Sequence, residues 1–183
     1  MGIVYGVGIN DVKGAYKTWQ YDLWSNMLER CYSDKRTIKN NSYEGCTVSE
    51  YFLTLSNFIA WADKFGKPLK GWCLDKDILG NGKLYSEHTC CFVPNIINQV
   101  FTSHAPSELD LPKGVFLRSG SNKFRARRSM YGKCVMLGTH DTKEQAYQAY
   151  VVATENYVHT LADEYKDLLA ANVYEVLKAY SAS

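Results

Sequence analysis

The feature that most constrains this chain is a short basic segment, residues 113–133, in which positive charge alternates with apolar side chains. The segment contains neither Asp nor Glu, and its cations are Lys113, Arg118, Lys123, Arg125, Arg127, Arg128 and Lys133. The formal net charge of the 183-residue chain is only +2, so the overall average conceals this concentration. Positive charge gathered on one short segment matters more for binding a polyanion than the total charge does.

The pattern around this segment predicts three antiparallel strands, at residues 114–118, 123–130 and 133–138. Turns at 119–122 and 131–132 separate them, and each turn contains a glycine that can adopt positive φ. Alternate side chains of a strand share a face. The middle strand therefore has one face of Lys123, Arg125 and Arg127 and an opposite face of Phe124, Ala126 and Arg128.

A helix is predicted to follow these strands and to pack against Phe124 and Ala126. Asp141 and Glu144 have the spacing of a capping box at its start, and its first turns are lined with alanine. We expect helical structure to continue to about Tyr180, with an interruption near 170–172. The opposite face of the sheet then presents a row of cations, and a sheet of this width fits the major groove of DNA. The alternative is a basic strand that serves only solubility.

A longer motif runs through these strands and the helix. It consists of Gly114-Val115, Lys123-Phe124-Arg125-Ala126-Arg127, Gly132-Lys133, Leu137-Gly138-Thr139, Asp141-Thr142, Glu144, Ala146 and Ala149-Tyr150. Over about residues 113–160 it resembles the ethylene-response-factor (Apetala-type) DNA-binding domain, with Phe124 where that family commonly has Trp. The resemblance implies a sheet that enters the major groove of double-stranded DNA. It also implies DNA contacts from Arg118, Lys123, Arg125, Arg127, Arg128 and Lys133.

The first half of the chain reads as a separate α+β domain. Helices are predicted at 19–32, 51–65 and 93–101, and strands at 43–48 and 72–78. The stretch 102–112 contains two prolines and several small or polar residues, which is typical of a linker. We therefore expect domains at 1–105 and 106–183.

Two carboxylates at the end of the predicted strand 72–78 form a candidate metal site. Asp75 and Asp77 precede a tight turn, and His88 lies on the polar segment that follows. If the three approach one another, they could hold a divalent cation that stabilises charge on a phosphodiester. The alternative is that Asp75 and Asp77 pair with Lys76 or Lys83 and cap the turn, while His88 is exposed.

Scattered residues of this half form a second motif. They are Trp24, Met27-Leu28, Arg30-Cys31-Tyr32, the run 43–48, Phe58, Trp61, Leu74-Asp75-Lys76-Asp77, Tyr85-Ser86 and Cys90. Over about residues 6–101 they resemble phage HNH-type proteins related to homing endonucleases, which have a ββα-metal fold around one divalent metal. The resemblance implies Asp75, Asp77 and His88 as catalytic residues, and Asp75, Asp77 and Asn98 as ligands of Mg²⁺ or another divalent ion. His104 is the alternative to Asn98, and Thr89 stands where the bracing Asn is expected, so no full His–Asn–His set is present.

Together these patterns predict an α+β protein with an HNH-like first domain and a three-stranded antiparallel sheet packed on a helix. The expected function is double-stranded DNA binding, with metal-dependent site-specific cleavage of the homing type. The alternatives are an inactive DNA-binding regulator or host-takeover factor and a domain that docks on a host protein. We expect six reduced cysteines, no signal peptide, no membrane span and a location in the cytoplasm of a phage-infected bacterial cell.

Overall fold

The structure is a computed structural model that describes residues 2–33, 43–80, 82–102 and 111–182. The chain has a mixed α+β fold and divides into two compact units, Met1–Asn98 and Gln99–Ser183. The division therefore lies a few residues before the expected boundary at 105/106. Within the described ranges, no helix is both long and apolar enough to cross a membrane.

The first unit consists of short strands and helices around an aromatic core. Its strands are β1 (Gly2–Val4), β2 (Gly8–Asn10), β3 (Thr47–Val48), β4 (Trp72–Asp75), β5 (Leu84–Tyr85) and β6 (Cys91–Pro94), and its helices are α1 (Trp19–Tyr32), α2 (Glu50–Leu53), α3 (Leu55–Ala62) and α4 (Asn95–Phe101). The pairs β1–β2 and β4–β6 are antiparallel, whereas β3–β5 is parallel. The last residues of α4 belong to the second unit.

Helix α1 forms because a capped start is followed by apolar residues at helical spacing. The Thr18 side chain accepts a hydrogen bond from the Tyr21 backbone N–H, which satisfies one of the free donors of the first turn. Trp24, Met27 and Leu28 then bury one face of the helix. The Trp24 indole N–H donates to the Phe52 carbonyl at 2.7 Å, so the polar atom of this fully buried side chain is satisfied.

The predicted helix at 51–65 is wrong in one respect, because two helices, α2 and α3, occupy this stretch. Thr54 lies between them in an extended conformation, with φ −93° and ψ 124°. It forms a parallel β-bridge with Ile9 of β2. A contact with a residue far away in sequence therefore interrupts a periodicity that is continuous in the sequence.

Strands β4 and β6 are joined by a connection that contains the short strand β5, and helix α4 follows β6 directly. The register pairs Trp72 with Pro94 and Asp75 with Cys91. Strand β4 ends at Asp75 rather than at residue 78, because the Asp75 carboxylate accepts the backbone N–H groups of Asp77 and Ile78 and turns the chain. The predicted strand at 43–48 is likewise shorter and contains only β3.

The second unit has the predicted three-stranded antiparallel sheet packed on a helix. Its elements are β7 (Val115–Leu117), β8 (Phe124–Met130), β9 (Lys133–His140), α5 (Lys143–Glu164) and α6 (Ala171–Lys178), with strand order β7–β8–β9. The capping box of α5 pairs Thr142 with Gln145, one residue beyond the expected pair. The interruption expected near 170–172 lies between α5 and α6.

The sheet and α5 meet through small side chains. Ala126 of β8 and Ala146 of α5 are both fully buried, and Val115 of β7 completes this cluster. Phe124 and Leu137 pack around it. With a methyl group on each side, the helix can approach the sheet closely and cover the middle of one face of β8, while Phe124 and Met130 at its ends are partly buried.

All six cysteines are free thiols, as expected from their spacing. Burial raises the pKa of Cys73 to about 11 and that of Cys90 to about 12. These thiols are therefore protonated at neutral pH, and they pack as small apolar groups. Cys134 on β9 is the exposed cysteine.

Gly114 provides a test of how tightly β7 is held against α5. It has φ of +79°, and a Cβ added there would collide with the ring of Tyr150. Gly120 also has positive φ, +69°, but a Cβ there would meet nothing. We expect Gly120→Ala to lower the free energy of unfolding by about 1 kcal/mol through backbone strain alone. Gly114→Ala should cost a further 1–3 kcal/mol, roughly, from the collision.

Urea unfolding of the full chain, followed by circular dichroism, measures both effects. Equal losses for Gly114→Ala and Gly120→Ala would show that the Tyr150 ring moves aside freely. In that case the close helix–sheet contact would not constrain this edge of the sheet.

Candidate nucleic-acid interface

The alternation predicted for the middle strand is present in β8. Arg125 and Arg127 are exposed, whereas Ala126 and Arg128 are buried against the helix side. Because α5 covers one face of the sheet, the two exposed arginines lie on the opposite face. We call this the outer face.

The cross-strand register shows which side chains share the outer face. Directly opposed residues of neighbouring strands point to the same side of a sheet. Phe116 of β7 and Thr139 of β9 lie opposite Arg125, Met136 lies opposite Arg127, and Cys134 lies opposite Ser129. The outer face therefore consists of Phe116, Arg125, Arg127, Ser129, Cys134, Met136 and Thr139.

A register shift between Ala126 and Arg127 keeps these residues on one side. Ala126 pairs with Gly138 and Arg127 pairs with Met136, so Leu137 is an extra residue on β9. Leu137 is half-buried and packs with the helix-side core. Such a bulge re-aims the neighbouring side chains, here Met136 toward the outer face and Leu137 toward α5.

The guanidinium of Arg127 is held over an aromatic ring. Its central carbon lies 3.8 Å from the centroid of the Phe116 ring. Stacking of this kind restricts the side chain while leaving the N–H groups at its edge free to donate. Neither Arg125 nor Arg127 forms an ion pair with a carboxylate of the described ranges.

The remaining predicted DNA-contact residues lie at the strand ends. Lys123 precedes β8, and its ammonium lies 2.8 Å from the Asp141 carboxylate, with both side chains exposed. The hydrogen bond from Lys123 lowers the pKa of Asp141. An exposed pair of this kind contributes little stability, so Lys123 can exchange Asp141 for another anion. Arg118 and Lys133 are exposed at the end of β7 and the start of β9.

Arg128 must be removed from the predicted DNA contacts. It is on the helix side of β8, and its guanidinium donates to the Tyr150 hydroxyl at 3.1 Å and to the Thr154 hydroxyl at 2.7 Å. The rings of Tyr150 and Tyr157 each lie 5.4 Å from its central carbon. A side chain buried in this way is not accessible to a DNA phosphate or base. The motif implied the contact without regard to strand alternation.

The candidate metal ligand Asp75 is buried in the first unit, with 2% of its surface exposed. Its Oδ1 accepts the backbone N–H groups of Asp77 and Ile78, each at 2.9 Å. Its Oδ2 is buried without a hydrogen-bond partner among the described residues. Burial raises the pKa of the Asp75 carboxyl, because the charged form loses hydration there.

The side chains of Asp77 and His88 each lie close to the charged side chain of the preceding residue, whereas that of Asp75 accepts backbone N–H groups. The Asp77 carboxylate accepts from the Lys76 ammonium at 2.8 Å, and the Lys76 Nζ also lies 5.5 Å from the centroid of the Tyr85 ring. The His88 side chain is 86% exposed, and its Nε2 is 3.7 Å from a carboxylate oxygen of Glu87. This is the arrangement of the alternative prediction, in which the aspartates cap a turn and pair with a lysine.

The candidate ligands Asp75, Asp77 and His88 do not form a group that could hold an ion. Across residues 2–33, 43–80, 82–102 and 111–182, no three His, Cys, Asp or Glu side chains lie close enough together to hold an ion. Thr89 hydrogen-bonds to Ser86 and to the Leu84 carbonyl, so it braces its own turn. Asn98 is half-buried on α4. His104 lies outside the described residues.

Sequence reasoning missed the apolar members of the outer face, Phe116, Met136 and Cys134. The alternation that identified the arginines would also have identified these residues, had it been applied to the strands on either side of β8. On β9 this alternation holds from the 131–132 turn to Met136, and the bulge at Leu137 shifts its phase only for the residues beyond, such as Thr139.

The hydrogen bond between Arg128 and Tyr150 gives a test of the helix–sheet contact. Tyr150→Phe keeps the ring but removes the hydroxyl that accepts from the buried guanidinium. We expect it to lower the free energy of unfolding by about 1–3 kcal/mol, because a buried charged donor is left without one partner.

Tyr131→Phe is the matched control, since it removes an exposed hydroxyl that donates to Glu164. It should change stability by under about 0.5 kcal/mol. Urea unfolding curves with equal losses for both variants would contradict this account.

Comparisons of the chain with protein-family models, with curated proteins and with solved structures find no match. The function must therefore be inferred from the residues and their geometry.

Proposed function

We propose that this chain binds double-stranded DNA through the outer face of the sheet β7–β9. One observation carries the proposal: Arg125 and Arg127 are exposed side by side on a face where no described carboxylate neutralises them. Cations without an internal partner are available to an external anion. Arginine suits DNA because its planar donor fork matches both phosphate oxygens and the edge of guanine.

The width of the sheet supports the major groove as the binding site. Neighbouring strands are separated by about 4.8 Å, so three strands span about 10 Å between the outer two. The major groove of B-form DNA is about 12 Å wide and carries a distinct pattern of donors and acceptors for each base pair. The major groove of duplex RNA is deep and too narrow for side chains to read, which favours DNA over duplex RNA.

The distribution of the remaining cations supports the same geometry. Arg118 lies at the end of β7, two residues beyond Phe116 and so on the same side, and among the described residues Lys123 pairs with the exposed Asp141. Lys133 lies opposite Met130 and therefore points to the helix side of the sheet, so it is not among the outer-face cations. In this proposal, Arg125 and Arg127 enter the groove, and Arg118 and Lys123 contact the phosphates on either side. The proposal includes a location in the cytoplasm of a phage-infected bacterial cell, where duplex DNA is accessible.

Replacing both central arginines tests the proposal. We expect Arg125→Ala with Arg127→Ala to weaken duplex binding by about tenfold or more and to leave the unfolding curve nearly unchanged, because both side chains are exposed. The slope of log affinity against log salt should fall by about 1 for each phosphate that the variant no longer neutralises. Fluorescence anisotropy with a labelled duplex at several salt concentrations measures both quantities.

A control with the same change in charge separates the outer face from general electrostatics. Lys166→Ala with Lys178→Ala also lowers the net charge from +2 to zero. Lys166 is exposed beside Tyr174 in the α5–α6 connection, and Lys178 of α6 is half-buried and pairs with the Asp163 carboxylate. Affinity should fall much less than in the arginine variant. Equal losses in the two double variants would mean that the outer face is not the binding surface.

Metal-dependent cleavage is a second hypothesis, which the resemblance to HNH-type proteins implies. The antiparallel pair β4–β6 followed by α4 favours it, since a ββα-metal fold also has two strands and then a helix, although here the connection between the strands contains β5. The positions of the donors favour the alternative, a DNA-binding regulator without chemistry. The Asp75 carboxylate caps a turn, Asp77 pairs with Lys76, and His88 is exposed.

Incubation with a duplex and Mg²⁺ or Mn²⁺ distinguishes these two functions. We expect the DNA to stay intact at protein concentrations that shift its gel mobility, because the candidate ligands do not converge. Cleavage by the wild-type chain that is lost in both Asp75→Asn and Asp77→Asn would overturn this expectation and support an endonuclease. Cleavage that persists in both variants would indicate a contaminating nuclease.

A further inference from the structure

The outer face carries more apolar surface than phosphate contacts require. Phe116 is 40% exposed and Met136 is 53% exposed, and they belong to the strands on either side of β8. A surface that only neutralises phosphates needs cations, because phosphates present charged oxygens. Exposed apolar side chains among cations indicate a surface that contacts a partner with both charged and apolar groups.

The geometry places these apolar groups around one arginine. Met136 lies directly opposite Arg127 across the β8–β9 pair. Phe116 lies under the Arg127 guanidinium, with 3.8 Å between the guanidinium carbon and the ring centroid. The centre of the outer face is therefore an oriented guanidinium with an aromatic ring on one side and a flexible thioether on the other.

The two kinds of side chain match two kinds of group in the major groove. A guanidinium can donate to O6 and N7 of guanine, and the apolar group that the groove offers is the C5 methyl of thymine. A methionine is unbranched and adapts its shape, so it can follow a methyl group at slightly different positions. No other group of the major-groove edge would favour exposed Phe and Met side chains.

We propose that the outer face distinguishes thymine by its methyl group, through Met136 and Phe116 on either side of Arg127. This inference rests on the proposed function and adds a substrate preference to it. Arg125, without an apolar neighbour of this kind on β9, contributes affinity that depends less on sequence. The outer face thus combines a methyl-reading centre with cations that bind any duplex.

Removing the methyl groups from the DNA tests the inference directly. The probes are a thymine-rich duplex and the same duplex with every thymine replaced by uracil, which keeps base pairing and charge and lacks only the C5 methyl. We expect the uracil duplex to bind about fourfold more weakly for each methyl group that the outer face covers. Anisotropy titrations of the full chain at one fixed salt concentration give the ratio of the two affinities.

Variants show whether the outer face is the source of that ratio. Met136→Ala and Phe116→Ala should bring it close to one, while Met136→Leu, which keeps an apolar contact, should preserve most of it. Leu168→Ala is the matched control, since Leu168 is 57% exposed in the α5–α6 connection. It should leave the ratio unchanged.

The outcomes separate this inference from the proposed function. Equal and measurable affinity for the two duplexes would overturn thymine recognition and leave DNA binding intact. A preference that is unchanged in Met136→Ala and Phe116→Ala would also overturn it, because the preference would then come from the shape of the duplex. Binding to neither duplex would overturn the proposed function itself.

Discussion

The contact between Ala126 of β8 and Ala146 of α5 determines the properties of the second unit. Both side chains are fully buried, so the helix lies close against one face of the sheet. Because side chains alternate along a strand, burying Ala126 on the helix side turns Arg125 and Arg127 to the other side. The exposed cations are thus a consequence of a packing contact between two methyl groups.

Arg128 strengthens this arrangement from within. A buried guanidinium is costly where its donors are unsatisfied. Here Nη1 of Arg128 donates to two hydroxyls of α5 and two tyrosine rings lie beside the group, while Nε has no hydrogen-bond partner among the described residues. A slip of β8 by one residue would turn Arg125 and Arg127 toward the alanine-lined part of the helix. Two features therefore fix the register of β8: Arg128 needs the hydroxyl acceptors on α5, and the space beside Ala126 is too small for a longer side chain.

Local patterns predicted most of the second unit and less of the first. The strands, turns and helix follow from alternation, glycine positions and a nearby cap, all of which act within a few residues. The burial of Arg128 does not, because its acceptors Tyr150 and Thr154 are more than twenty residues away along the chain. The break at Thr54 has the same origin, since its bridge partner is Ile9.

The candidate metal site was harder to predict for a related reason. Two aspartates and a histidine in a short stretch are compatible with an ion and also with local hydrogen bonds, and the residue types do not distinguish the two. In the structure, Asp75 accepts from its own turn and Asp77 from the neighbouring Lys76. Sequence gives the inventory of donors and acceptors, whereas the fold decides which of them are already satisfied internally.

Whether a polar group is satisfied within the chain also decides which functional hypothesis each unit supports. A polar group that is satisfied within the chain contributes to folding, and one that is left unsatisfied at an accessible surface is available to a partner. Asp77 and Lys76 satisfy each other, and the free oxygen of Asp75 is buried where no solute reaches it. Arg125 and Arg127 lie on an open face without a described carboxylate partner. Two paired strands followed by a helix do not by themselves make a nuclease, because chemistry depends on the groups a fold leaves available. In this chain the available groups are cations on a groove-sized sheet, and that places recognition of a polyanion ahead of catalysis.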